Sequence, residues 1–109
     1  MILTKIHSDD CHICMELGDK GQALAEKEGF GYEKIDLEIL SKTPGSLKDY
    51  VVGYHVSGVD GMIDLPIYII STDDGNIQAS GVVQDLTEVA NLIYSWNKWA
   101  FSVKQSSAD

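Results

Sequence analysis

Two cysteines stand three positions apart in this 109-residue chain, as Cys11-His12-Ile13-Cys14. Chance gives a lone pair that spacing in roughly 2% of arrangements. The pair follows a short apolar run and opens a segment with helical periodicity, the setting in which C-x-x-C reads as a redox motif. At a helix N-terminus Cys11 meets unpaired backbone N–H groups, which favour thiolate over thiol. Cys14, one turn further on, is in reach of a mixed disulfide formed on Cys11. The outer cysteine is then the nucleophile and the inner one the resolving thiol. This chemistry is thiol–disulfide exchange, and it requires no cofactor.

A metal site is the rival use of the same thiols. Structural zinc takes four ligands. Beyond the two cysteines only His7, His12 and His55 could contribute, and there is no second C-x-x-C, so no metal is expected. A third reading, from another class, is an interaction module in which the cysteine pair is incidental.

Three neighbours of the pair bear on its reactivity. A protonated His12 would stabilise the Cys11 thiolate. Asp9 and Asp10 act the other way, and at ~7 Å in water each carboxylate costs the thiolate roughly 0.6 kcal/mol before screening. A helix terminus returns roughly 0.3–1 kcal/mol. The effects nearly offset, which predicts a moderately lowered thiol pKa.

The surrounding elements must place this pair. Ile2 to Ile6 reads as a strand, and Ser8-Asp9-Asp10 supplies helix-capping residues. A helix is expected from Cys11 to about Glu28, with Cys14, Leu17, Gly21, Leu24, Ala25 and Glu28 near one face and Gly29 and Gly31 ending it. Tyr32 to Asp36 reads as a second strand, with Ile35 and Leu37 available for burial. Thr43-Pro44 suits a helix start, and Leu47, Tyr50, Val51 and Tyr54 form an apolar stripe behind it. Val56 to Asp64 reads as loop.

Leu65-Pro66-Ile67-Tyr68-Ile69-Ile70 is the most strand-like run, and a turn at 72–76 joins it to a partner strand, Ile77 to Val82. Asp85-Leu86-Thr87-Glu88 is a capping box with Asp in the cap. Leu86, Val89, Ala90, Ile93, Trp96 and Ala100 give the following helix its apolar face. The order βαβαββα implies a parallel βαβ unit followed by an antiparallel hairpin, joined in one mixed four-stranded sheet with helices on both faces. Pro66 opens the third strand, a tolerated position. It reads either as an ordinary strand-start proline or as a cis Leu65–Pro66 bond that exposes the Leu65 backbone to a substrate chain.

Composition bounds the rest. With 44% hydrophobic and 23% charged residues the chain is ordinary globular material, one domain over 1–104 with a disordered tail at 105–109 expected. The net charge of −9 argues against nucleic acid and anionic membranes as partners. No apolar run approaches a membrane span, and residues 1–7 are too short for a signal peptide's apolar stretch, so a cytoplasmic monomer is the expectation.

The element order, Cys11-His12-Ile13-Cys14 at a strand–helix junction, Leu65-Pro66 opening the third strand and Gly81 ending the fourth together resemble the thioredoxin/glutaredoxin family. The likeness covers roughly residues 1–97 and is closest in kind to the short glutaredoxin-like thioredoxins of bacteria and phages. It implies a three-layer thioredoxin-like α/β fold and a cis Pro66 packed beside the disulfide. It also implies a protein-disulfide reductase that docks substrate chains at Leu65, Pro66 and Ile13. The implied partners are disulfide-containing proteins, ribonucleotide reductase among them, and an upstream reductant, thioredoxin reductase or glutathione. Some positions depart from the family's pattern. Thioredoxin has Gly-Pro between its cysteines and glutaredoxin usually Pro-Tyr, where this chain has His12-Ile13. Lys5 stands where thioredoxin has a buried Asp, and Asp10 where it has Trp. Glutaredoxin's Gly-Gly-Cys-Asp-Asp appears as Gly81-Val82-Val83-Gln84-Asp85. With Asp9 and Asp10 where glutaredoxins often carry a basic residue, a thioredoxin-type reductant is expected over glutathione.

Overall fold

The computed structural model describes residues 1–56 and 63–95. Four strands form one sheet: β1 (Ile2–His7), β2 (Gly31–Asp36), β3 (Ile67–Ser71) and β4 (Ile77–Val82). Their spatial order is β2-β1-β3-β4. β1 pairs parallel with β2, so a crossover must connect them, and antiparallel with β3. β3 and β4 form the expected hairpin, irregular between Ile70 and Ser71. Gly75 turns it at φ +94°, a conformation that L side chains resist.

Alternation along β1 and β3 divides the core between the two sheet faces. Leu3, Tyr68 and Ile70 pack on one face with Leu17, Ala25, Phe30, Val89 and Ile93. Ile6, Ile67 and Ile69 pack on the other with Leu40 and Val51. The helices on the first face are α1 (His12–Leu17), α2 (Lys20–Lys27) and α5 (86–95). On the second are α3 (Leu37–Ser41) and α4 (Ser46–His55). The result is the three-layer α/β arrangement read from the sequence.

Local structure departs from the sequence reading in several places. The single helix expected from Cys11 to Glu28 is two helices, broken at Gly18 (φ +49°). Its expected face holds for the buried Cys14, Leu17, Gly21 and Ala25, while Glu28 is exposed. α3 was not anticipated; Asp36 ends β2 and caps this helix, its carboxylate accepting from the Glu38 N–H at 2.8 Å. α4 starts at Ser46 behind Gly45, so Pro44 precedes the helix instead of sitting in its first turn. Of its expected stripe Val51 is fully buried, whereas Tyr54 is 76% exposed. β3 begins at Ile67, not Leu65, and Val56 and Ile63 form an isolated bridge at the margins of the expected loop. The Asp85 cap forms, its carboxylate accepting from Glu88 N–H at 2.9 Å. Glu88 reaches back to the N–H of Gln84, one residue beyond the box position. Trp96 and Ala100 of the last helix's expected apolar face, the domain limit at 104 and the tail at 105–109 lie outside the described residues.

Candidate active site

β1 ends at His7, and the next four residues turn the chain into α1. The Cys11 N–H donates to the Ser8 carbonyl at 3.1 Å, closing that turn. Cys11 is then the N-cap residue of α1, with extended backbone angles. Its Sγ accepts a hydrogen bond from the Cys14 N–H at 3.1 Å. A cap is normally a hydroxyl, amide or carboxylate oxygen; here the sulfur occupies that role.

Cys11 and Cys14 are joined as a disulfide with Cα atoms 5.2 Å apart. Burial divides them: Cys14 is 3% exposed, while Cys11 is half-buried. The asymmetry follows from the elements, since Cys11 stands at the tip of the loop and Cys14 turns under α1 toward the sheet.

The three residues read as tuning the pair are placed as follows. Asp9 and Asp10 are both exposed in the turn before Cys11. His12 is 85% exposed, and its Nε2 lies 2.8 Å from the Glu16 carboxylate. Glu16 is a partner that reading did not name, although (i, i+4) spacing on a helix allows it. Any positive charge on His12 is therefore met first by Glu16.

The Leu65–Pro66 bond is cis. Pro66 is buried, and its carbonyl accepts from the Val83 N–H at 3.1 Å, tying the start of β3 to the end of β4. Leu65 and Ile13 are half-buried, packing against the core on opposite sheet faces. The Leu65 backbone makes no hydrogen bond to another described residue.

Beneath the pair is a residue the sequence reading noted only as a departure. Lys5, on β1, is 2% exposed. Its ammonium donates to the carbonyls of Cys14 at 2.8 Å and Gly18 at 2.7 Å. Gly18 is the C-cap of α1, where carbonyls lack helical partners, and the Cys14 carbonyl also accepts from the Gly18 N–H at 3.0 Å. Burial lowers the Lys5 pKa from its ordinary value, with Asp19 opposing that shift. Asp19, held below the usual carboxylate range chiefly by its bond from Lys34, pairs with Lys34 at 2.9 Å. Lys5, His7, Asp9, Cys14, Met15 and Lys34 are among the residues lining an open pocket of about 180 Å³ beside the disulfide.

One cluster of potential metal ligands occurs among the described residues: His7, Asp9 and Asp36, with donor atoms within 4.8 Å of one another. The cysteine sulfurs are not in it, being bonded to each other.

No family model and no curated protein matches the sequence. Among solved structures the chain is similar to thioredoxin 1 from the thermophilic eubacterium Thermosipho africanus TCF52B. The two share 21% identity, with a TM-score of 0.59 over 92% of this chain and 98% of that one. The chain therefore has a thioredoxin-like fold, and it carries a Cys-x-x-Cys disulfide at the junction of β1 and α1.

Proposed function

We propose that this chain is a thiol–disulfide oxidoreductase that reduces disulfides in protein substrates. The observation that carries the reading is the asymmetry of the pair: a half-buried Cys11, whose sulfur caps α1, bonded to a buried Cys14. Reduced Cys11 is the accessible thiol, and the Cys14 N–H that already points at its sulfur stabilises a thiolate there. It attacks a substrate disulfide, and Cys14 resolves the mixed disulfide from one helical turn away. Leu65, with backbone groups free among the described residues, gives an extended substrate chain a place to pair. Ile13 and Pro66 complete the proposed docking surface, and thioredoxin reductase is the proposed upstream reductant.

Insulin reduction with dithiothreitol as electron source tests the reading. The native protein accelerates precipitation of the insulin B chain, and Cys11→Ser abolishes the acceleration. Full activity in that variant removes Cys11 from the role of nucleophile.

A further inference from the structure

Lys5 is the only charged side chain that the fold buries among the described residues. A buried ammonium is expensive unless it is well bonded. Among the described residues Lys5 has two hydrogen bonds, both to neutral carbonyls, and no carboxylate within ion-pair distance. Asp19, the acid whose charge it feels most, is engaged by Lys34 and Tyr32. Neutral dipoles do not cancel an ammonium's charge as a carboxylate would, although burial lowers the Lys5 pKa. Cys14 is the thiol beside it: Nζ is 2.8 Å from the Cys14 carbonyl oxygen, and both residues line the same pocket. Covalent geometry then keeps the Cys14 sulfur within roughly 7 Å of the charge.

We propose that Lys5 is a positioning residue of the redox pair, pinning the Cys14 turn through two carbonyls and stabilising the Cys14 thiolate when the disulfide opens. The inference rests on the oxidoreductase reading. In the resolving step the Cys14 thiol loses its proton and its sulfur attacks the Cys11 sulfur of the mixed disulfide. The Cys11–Cys14 bond forms, the bond from Cys11 to substrate breaks, and the departing substrate thiolate takes up a proton. Two electrons pass from the protein dithiol to the substrate disulfide, and Lys5 exchanges no proton.

The other groups on this side are Asp19 and Lys34, paired with each other, and Tyr68 and Tyr32. Burial pushes the Tyr68 phenol up to about 12 and the Tyr32 phenol upward as well, so both stay neutral. His7 and Asp9 stand at the pocket lining. Among the described residues of that lining, Lys5 is the lysine without a carboxylate partner, and Asp9 is the one acid. A unit charge at such a distance, in a medium between water and protein interior, shifts a thiol–thiolate equilibrium by about tenfold.

The test is the equilibrium of the Cys11–Cys14 disulfide with a dithiothreitol redox buffer, in native protein and in Lys5→Met. Measured at a pH above the Cys14 pKa, where the reduced form holds the thiolate, loss of the charge is expected to make the disulfide up to about tenfold harder to reduce, a potential lower by up to ~30 mV. A shift of threefold or more in that direction supports the proposal. A smaller or opposite shift in a folded Lys5→Met protein overturns it, because a structural loss shared equally by the oxidised and reduced forms lowers the melting temperature without moving this equilibrium. If Lys5→Met does not fold, Lys5→Gln, which keeps N–H donors without charge, carries the same measurement and criterion. If neither folds, the decision passes to reduced Cys11→Ser protein, in which Cys14 is the sole thiol. There a Cys14 pKa at or below the free value of ~8.5 supports the proposal despite burial, and a higher one overturns it. Native protein that reduces insulin while Lys5→Met leaves the equilibrium unmoved sinks only the role of Lys5. Native protein with no dithiol turnover sinks the oxidoreductase reading itself.

Discussion

The backbone N–H of Cys14 donates to the sulfur of Cys11 across 3.1 Å. One residue's amide thus faces the atom that must carry negative charge when the disulfide opens. This predicts that reduced Cys11 is alkylated ahead of Cys14, with a pKa below the free value of ~8.5 and above ~5.5. The lower bound reflects the exposed Asp9 and Asp10. Changing both to Asn should lower the Cys11 pKa by about 0.3–1 unit at low salt and by less at high salt. The check is iodoacetamide rate against pH, with mass spectrometry to identify the modified cysteine. An unmoved curve at low salt removes the carboxylates from the account.

The 2.8 Å contact between His12 and Glu16 reduces what the imidazole can give to Cys11. His12→Ala should raise the Cys11 pKa by about 0.3 unit or less, because the exposed ring is engaged by Glu16. The same alkylation series measures it. A rise of a full unit would show that the ring acts on the thiolate directly.

How far the sequence disclosed this site depends on the range of each interaction. Cys11, Cys14 and their strand–helix setting are local features, legible from spacing alone. The hairpin of β3 and β4 and the parallel β1–β2 unit follow from alternation and element order, and both are present. The break of the first helix at Gly18 was not legible. It is stabilised by Lys5, thirteen residues away on β1, donating to the Gly18 carbonyl. A lysine in a strand ordinarily reads as a solvent-facing position, and nothing in its own neighbourhood announces two carbonyl acceptors. The five-residue α3 has too few residues for a periodic signal, and its cap, Asp36, is also the last residue of β2.

His55 lies at the end of α4, where its Nε2 is 2.9 Å from the Ser80 hydroxyl of β4. Tyr50 bonds the same hydroxyl at 2.6 Å, so one serine ties helix to strand. Burial lowers the His55 pKa below its ordinary 6.5. Between the folded and unfolded pKa values the unfolded chain therefore binds more protons, and stability falls as pH drops below about 6.5. It levels off once the pH is below the folded value. Urea unfolding at pH 7 and pH 5 measures this, and His55→Gln should flatten the part of the slope that His55 supplies. An unchanged slope in that variant contradicts the assignment.

Tyr68 is fully buried, and its hydroxyl has no hydrogen-bond partner among the described residues. An unpaired buried hydroxyl gives up its hydration without compensation. Tyr68→Phe keeps the ring between β3 and α2 and should leave stability within about 1 kcal/mol of native or raise it. Equilibrium denaturation checks this, and a loss of more than about 2 kcal/mol would reveal a partner for the hydroxyl.

Asp9 and Asp10, exposed beside the pair, put two negative charges where the anionic tripeptide glutathione would approach. Turnover with glutathione as sole reductant should be at least about tenfold slower than with thioredoxin reductase and NADPH at matched driving force. The comparison uses one disulfide substrate in both coupled assays. Faster turnover with glutathione reverses the proposed choice of reductant.

In the proposed reaction Cys11 attacks and Cys14 resolves. Its most direct test is to mix reduced Cys14→Ser protein with a disulfide substrate and map the adduct by mass spectrometry. A persistent mixed disulfide on Cys11 is expected, since the thiol that would release it is gone. No comparable adduct is expected on Cys14 in the Cys11→Ser protein. A stable substrate adduct on Cys14, with Cys11 unmodified, would contradict the account.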